Sequence, residues 1–278
     1  MATFAVSRLF SSTLYGLAFL LCSSTVHAQF RPRPLNEPTT AEQFHIEASA
    51  AIWRPSADIV IASEGFGIQG TSIDFQRDLG LADQSLPEFK VTLQPLGHHK
   101  LRMDVIPMSY TSSTTLTRDI VFNGQRYTVN LPVSSTFDWK AWRFNYEFDF
   151  IAKNRGFAGF ILEAKYNDIR AHLTASSLNI DEFTEARFPL PALGGIARFY
   201  VVPSISITGE VTGLKIPDSA SSRYHGNWVD VDIYGTANFT RNVGAQIGFR
   251  SVDLGYAIKS DTGSLTLKGI YFGVVARY

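Results

Sequence analysis

The chain has 278 residues, of which 45% are hydrophobic and 13% aromatic, and its 25 basic residues balance 25 acidic ones. This balance gives no electrostatic reason to bind nucleic acid. After residue 28 no run of about 18 apolar residues occurs, which excludes a membrane-spanning helix. Glycine, aromatic and β-branched residues recur instead, and this composition favours an all-β fold.

The first 28 residues have the features of a secretory signal peptide. They contain a positive charge at Arg8, the apolar stretch LYGLAFLLC and small residues before Gln29. Cys22, the single cysteine, lies in this segment, so the mature chain is expected to have no disulfide. Residues 29–41 contain three prolines and are predicted to form an extended periplasmic lead-in to a β domain at residues 42–278.

Alternation of apolar and polar residues predicts ten long strands. In chain order they are Phe44–Trp53, Phe89–Leu93, Leu101–Tyr110, Phe137–Phe150, Phe157–Asp168, Leu193–Val202, Ile205–Leu214, Asn227–Phe239, Val243–Tyr256 and Ser264–Tyr278. Pro55 is expected to end the first strand. Long loops are predicted at Ser56–Pro87, Thr111–Thr136 and Ile169–Pro191, the first two with short hairpins near Thr71 and Asn123-Gly124.

The connections between these strands point to a membrane barrel. Four tight turns fall on one side and mostly longer loops on the other, with both chain ends on the tight-turn side. We therefore predict a closed antiparallel transmembrane β-barrel of ten strands, with eight or twelve strands as alternatives and a soluble β-sandwich as the rival fold. Aromatic residues at the tight-turn ends of the apolar faces are expected to form an interfacial girdle: Phe44, Phe150, Phe199, Phe239 and Tyr278.

In a barrel, the charged strand faces must point into the lumen. The predicted lumen residues are Glu47, Lys90, Arg102, Asp104, Arg143, Glu147, Asp149, Glu163, Lys165, Arg198, Glu210, Asp230, Asp232 and Arg250. Their mixed signs predict a network of ion pairs that packs the narrow interior, because an ion-selective constriction usually carries one sign. Arg277 is expected to lie at the periplasmic mouth, below this network and outside it.

Polar residues predicted at the outer rim offer weaker signals of chemistry. His172 lies near Asp168 and Ser176, and His225 lies near Asp218, Ser221 and Ser222. Each histidine could belong to a nucleophilic site or simply to a polar loop. The acidic stretch Asp181–Glu185 is expected to be a solvated loop, with cation binding as the alternative. No motif for a metal, a phosphate or a cofactor occurs, and no catalytic residue is assigned.

The last two strands carry a resemblance to a known group. NVGAQIGFRSVDLGY (Asn242–Tyr256) and LTLKGIYFGVVARY at the terminus resemble the closing strands of small Gram-negative outer-membrane barrels, the OmpA-like and OmpW-like group. The resemblance implies an outer-membrane location, contacts with outer-membrane lipid and lipopolysaccharide, and recognition of the terminal strand by the barrel assembly machinery. That recognition would involve Ile270, Phe272, Val274, Ala276 and Tyr278, the last standing where phenylalanine is commoner. Ten strands also resemble the omptin surface proteases, but no motif matches that family's catalytic residues.

The sequence therefore predicts an outer-membrane barrel of structural or narrow-pore type, without a cofactor and without nucleic acid as a partner. Two alternatives remain open at this stage. One is a rim-active hydrolase with a lipid or peptide substrate. The other is a surface binding module that acts through its loops.

Overall fold

The computed structural model describes residues 39–40, 42–216, 224–258 and 261–278. The predicted signal peptide and nearly all of the predicted lead-in lie outside these residues. Within them the chain is all-β, with one 3₁₀ turn at Ser176–Leu178. Among the same residues, no helix is long and apolar enough to cross a lipid bilayer.

Thirteen strands follow one another along the chain. They are β1 (Ile46–Ala62), β2 (Ile73–Asp74), β3 (Leu86–Leu96), β4 (His99–Thr115), β5 (Ile120–Phe122), β6 (Gln125–Tyr127), β7 (Pro132–Lys153), β8 (Gly156–Ala175), β9 (Ile180–Val202), β10 (Ile205–Ile216), β11 (Tyr224–Asn238), β12 (Val243–Ile258) and β13 (Asp261–Arg277). The short strands β2, β5 and β6 lie outside the ring of ten long strands.

The ten long strands form a closed antiparallel barrel. Each pairs with its sequence neighbours in the ring, and β13 pairs with β1 along its length, from Arg277 opposite Glu47 to Thr262 opposite Ala62. The last residue takes part in closure, because the Tyr278 carbonyl accepts a hydrogen bond from the Ile46 amide at 2.9 Å. The prediction of a ten-strand barrel is confirmed. The hairpin at Asn123-Gly124 forms as β5 and β6, but it does not enter the wall.

The two faces of the wall exchange character partway up the barrel. On the periplasmic part of β7, Phe144 points outward with 50% exposure and Arg143 points inward and is buried. Higher on the same strand the outward residue is Lys140, and the inward residue is the buried Trp139. Strands β1, β4, β8 and β13 change in the same way. The lower part therefore has an apolar outer belt suited to lipid, and the upper part is built like a soluble β-barrel.

The upper lumen is filled by an apolar core that includes two inserted segments. Phe75, from the segment after β2, meets Phe137 of β7 edge to face with 5.6 Å between ring centroids. Tyr127 of the β5–β6 hairpin is buried, and its hydroxyl donates to the Leu173 carbonyl at 3.2 Å. Both predicted loops thus fold into the barrel mouth and bury apolar side chains there.

The expectation that Pro55 ends the first strand is wrong. β1 continues to Ala62, and Pro55 lies opposite Gly269 in the ladder with β13. Pairing of β1 with β3 stops at Trp53, so the missing Pro55 N–H faces the side on which β3 has already ended. A proline is tolerated at such an edge because no ladder hydrogen bond is lost.

The predicted loop Ile169–Pro191 is also a correction, because most of it is strand. β8 extends to Ala175 and β9 begins at Ile180, and the two pair throughout. Ile169 and Leu173 point inward and are buried, whereas Arg170 points outward. The strand pattern continues above the lipid belt, but with the apolar face on the opposite side.

Candidate functional site in the lumen and at the rim

The structure places all fourteen predicted lumen residues on inward strand faces. Thirteen of them are buried, and the Lys90 side chain keeps 16% exposure. They lie in the lower part of the barrel, inside the lipid belt. Of the predicted girdle residues near the short-turn ends of the strands, Phe150, Phe199, Phe239 and Tyr278 are exposed, whereas Phe44 is buried.

Arg143 lies at the centre of the charged residues. Its guanidinium contacts four carboxylates: Glu163 at 2.5 Å, Asp230 at 3.4 Å, Asp104 at 3.5 Å and Glu210 at 3.6 Å. These acids come from four different strands, β4, β8, β10 and β11. A planar guanidinium with five donors can serve several carboxylates at once, which a single ammonium group does less well.

Asp230 is the acid that meets the largest number of cations in the network. Arg250 donates two hydrogen bonds to its carboxylate, at 2.8 and 3.1 Å, and Lys165 approaches to 3.7 Å. The Lys165 ammonium also contacts Glu163 at 3.0 Å and lies 3.7 Å from the centre of the Trp228 ring. Trp228 belongs to the apolar core, so Lys165 marks the boundary between the charged and the apolar lumen.

Several ion pairs connect strands that are not neighbours in the ring. Arg102 of β4 contacts Glu210 of β10 at 2.6 Å, and these strands are separated by three others along the wall. Arg250 of β12 contacts Glu88 of β3 at 2.7 Å. Side chains thus bridge the lumen at this height, and each bridging cation has an oppositely charged partner.

Three members of the network were absent from the predicted set or misplaced. Glu88 directly precedes the predicted strand Phe89–Leu93, and Lys100 directly precedes the predicted strand Leu101–Tyr110. The Lys100 ammonium contacts Glu147 at 2.8 Å and Asp149 at 2.9 Å. Glu88 and Lys100 share the inward parity of predicted neighbours, so extending the alternation would have found them. The expectation that Arg277 lies outside the network is wrong, because this buried residue pairs with Glu47, a member of the network.

The terminal strand residues all lie on the lipid-facing side. Ile270, Phe272, Val274, Ala276 and Tyr278 are exposed on the outer surface of β13. This position suits contact with lipid hydrocarbon. Recognition of the same residues by an assembly machinery stays a prediction.

At the rim, the predicted polar loop is an ordered pair of strands. His172 of β8 contacts Asp181 of β9 on the outer surface, and the Thr174 hydroxyl lies 3.5 Å from His172 Nε2. Glu182 points inward and accepts a hydrogen bond from the Asn123 amide at 2.9 Å. The acidic stretch Asp181–Glu185 is therefore strand and not a solvated loop.

The remaining chemical candidates at the rim receive little support. His225 lies at the outer end of β11, but Asp218, Ser221 and Ser222 fall outside the described residues. No group of three or more histidine, cysteine or acidic side chains in the described part of the chain is placed to hold a metal ion.

Comparison with known proteins adds information on the fold. No protein-family model and no curated protein matches the chain. Among solved structures, the outer membrane protease OmpT from Escherichia coli is similar, with a TM-score of 0.54 and 8% identity over 87% of this chain and 99% of that one. This chain has the fold of Gram-negative outer-membrane β-barrels.

Two further solved structures are similar at a lower level. Ail, the attachment invasion locus protein of Yersinia pestis, has a TM-score of 0.35 and 10% identity over 82% of this chain and 99% of its own. The toluene transporter TodX of Pseudomonas putida has a TM-score of 0.35 and 7% identity over 84% and 90%. The closed barrel and its apolar belt place the protein in the outer membrane, since such barrels need lipid around the belt.

Proposed function

We propose that the protein is a non-conducting outer-membrane barrel that acts through the part of the barrel above the lipid belt. The observation that carries this proposal is the set of ion pairs across the lumen, from Arg102 to Glu210 and from Arg250 to Glu88. A passage would need these side chains to separate. Each charge would then leave the partner that compensates it in the narrow lumen, which disfavours a spontaneous opening.

The apolar core above the network supports the same proposal. A solute that enters from outside would first meet buried side chains such as Phe75, Phe137 and Tyr127. Hydrophobic constrictions exclude water, and ions do not cross them without it. The charged and the apolar halves of the lumen thus oppose conduction for different physical reasons.

The strands above the belt offer a rigid surface for binding. β7, β8 and β9 contain 22, 20 and 23 residues, whereas a tilted membrane span needs about 9–11. Their outer surface carries ion pairs such as Arg187 with Asp168 at 3.3 Å. We therefore favour the surface binding alternative, in a version that relies on strands more than on loops.

Conductance across a planar lipid bilayer tests this proposal. The wild-type protein should give no stable current steps, and neither should Arg187→Ser, in which only an outer-surface charge is removed. Uniform steps in the wild type that change size in Arg102→Ser, but not in Arg187→Ser, would show that the lumen conducts and that the proposal is wrong.

A second candidate is a hydrolase active at the rim, supported by the contact between His172 and Asp181 and by the fold shared with an outer membrane protease. An acid that orients a histidine is one part of a nucleophilic site. Vesicles carrying the protein would be incubated with phospholipid and with peptides. Hydrolysis that is lost in His172→Ala would favour this candidate, and equal product from both proteins would remove it.

A further inference from the structure

Among the described residues, the neighbouring strands β9 and β10 of the barrel wall separate above the belt. β9 pairs with β10 from Val202 up to Leu193, opposite Gly213. Above that point β9 continues from Ala192 to Ile180 and pairs with β8 only. No described strand pairs with the other edge of β9 there. If the register continued, Lys215 would lie opposite Pro191 and Ile216 opposite Leu190.

Two prolines explain why the pairing stops. Pro189 and Pro191 lie in an unbroken ladder with β8, opposite Tyr166 and Ala164. Since proline has no N–H, an antiparallel ladder can pass through it only where its nitrogen faces away from the partner. Both nitrogens therefore face β10, and two successive donors are missing at the place where β10 would otherwise pair.

Two cavities follow the separated edges. One, of about 790 Å³, is lined by the consecutive residues Gly213–Ile216 of β10, and the other, of about 380 Å³, by Thr184–Phe188 of β9. Each cavity thus borders one of the two separated edges. Tyr256 lines both cavities. We call the space between these two edges the lateral opening.

The lining of the lateral opening is partly apolar and partly polar. The larger cavity is lined by the polar residues Lys215, His225 and Asn227, and the smaller by Ser63, Thr184, Glu185, Arg187 and Asp261. Phe188, Leu214 and Ile216 are half-buried along it. Trp228 is 2% exposed and lines the same space, and its indole N–H has no hydrogen-bond partner among the described residues. Lys215 is exposed on the outer side. A ligand that fits would have an apolar tail, a hydrogen-bond acceptor and a negative charge.

The height of the opening identifies the source of such a ligand. Leu193 of β9 and Val211 of β10 are exposed belt residues, with 64% and 49% exposure, and the opening begins directly above them. The carbonyl ends of the outer-leaflet acyl chains, at the upper boundary of the belt, therefore lie beside it. We propose that the lateral opening binds an acyl chain of an anionic outer-leaflet lipid, with its carbonyl near the Trp228 N–H and its head group near Lys215.

An added polypeptide strand fits the opening less well than a lipid does. Such a strand would place carbonyl groups opposite Pro189 and Pro191, which have no donor to offer. A lipid needs no ladder hydrogen bonds, and carbonyl groups in its ester or amide links can accept from Trp228. The proposal goes beyond the proposed function, because it holds whether or not the lumen conducts.

Tryptophan quenching by brominated lipid tests the proposal, because bromine quenches indole emission only at close range. The chain has four tryptophans, Trp53, Trp139, Trp142 and Trp228, and variants with three of them replaced by phenylalanine keep one emitter each. In phosphatidylglycerol bilayers brominated on the acyl chains, the Trp228 variant should be quenched nearly as strongly as the lipid-facing Trp142 variant. The variant that keeps only Trp53 should retain its emission, because the Trp53 side chain is buried in the lumen on β1. A Trp228 emission as strong as that of Trp53 would overturn the proposal.

A cross-link and a charge variant sharpen the test. In the single-Trp228 protein, Leu190→Cys and Ile216→Cys would be joined across the opening by a bismaleimide whose spacer contains a disulfide, and quenching should fall on cross-linking and return when the spacer is reduced. Equal quenching in both states would overturn the proposed route.

The charge variant Lys215→Gln should reduce quenching by brominated phosphatidylglycerol to the level seen with brominated phosphatidylcholine. If the single-Trp228 protein that keeps Lys215 is quenched equally by both lipids, the assignment of an anionic lipid is wrong. If added extended peptide shifts Trp228 emission and lipid does not quench it, the opening binds a strand and the lipid proposal is wrong.

Discussion

Replacing Arg143 by methionine tests whether the lumen network stabilises the barrel as a set of coupled charges. The side chain is buried and contacts Glu163, Asp104, Glu210 and Asp230 at 2.5–3.6 Å. Arg143→Met retains much of the packing volume but leaves these carboxylates short of one cation. Removing one partner of a buried pair costs about 3–5 kcal/mol. Urea unfolding of the protein in lipid vesicles, followed by tryptophan emission, should show a loss of that size.

The outer surface of the same barrel provides the matched control. Arg187 and Asp168 form an ion pair at 3.3 Å between β8 and β9, with 53% and 34% side-chain exposure. Exposed pairs contribute about 0–1 kcal/mol, so Arg187→Met should change the free energy of unfolding little. Arg143→Met combined with Glu163→Gln should recover part of the loss, because one uncompensated charge is then removed. An Arg143→Met protein as stable as Arg187→Met would refute the reasoning.

Two further changes test the upper and lower halves of the barrel separately. Arg118 donates two hydrogen bonds to the Asp78 carboxylate, at 3.0 and 2.5 Å, and holds the pKa of Asp78 below its ordinary value. This stabilisation is present above the ordinary pKa of about 3.9 and is lost as the pH falls through the lowered pKa. Asp78→Asn should therefore raise hydrogen exchange in residues 73–81 at pH 7 by an amount equivalent to about 1–3 kcal/mol, and unchanged exchange would contradict the role of this pair. In the belt, Phe272→Arg should destabilise the barrel by about 2–4 kcal/mol in urea titrations, whereas Ser264→Arg above the belt should change little; equal effects would place the belt elsewhere.

Strand alternation within the lipid belt was enough to predict the architecture. From Trp142 to Phe150 a period of two separates aromatic residues from charged ones, and the inward set derived from it lies in the lumen. The number of strands follows from the short connections. A two-residue connection such as Asn154-Arg155, between β7 and β8, can join only neighbouring antiparallel strands, so few strand orders remain. Local sequence suffices here because lipid and lumen impose opposite demands on adjacent residues.

The strands above the belt were missed because their faces reverse. Ile169, Ala171 and Leu173 keep the period of two, but the intervening Arg170 and His172 now face water. A search for an apolar outer face therefore ends at the lipid boundary, and Pro189 and Pro191 strengthen the impression of a loop. The partners within the lumen could not be predicted either, because the contact between Arg102 and Glu210 depends on closure of the ring.

Labelling of single cysteines on β7 tests most directly whether side chains fill the lumen inside a lipid belt, since the chain after residue 28 has no cysteine of its own. On intact cells, Lys140→Cys should react with a membrane-impermeant maleimide. Phe144→Cys should react only with a lipid-soluble one, and Asn145→Cys, at a position that is 3% exposed, should react with neither. Reaction of Asn145→Cys with a small impermeant thiol reagent as fast as that of Lys140→Cys would mean that water fills the barrel at the height of the ion pairs, which a packed lumen forbids.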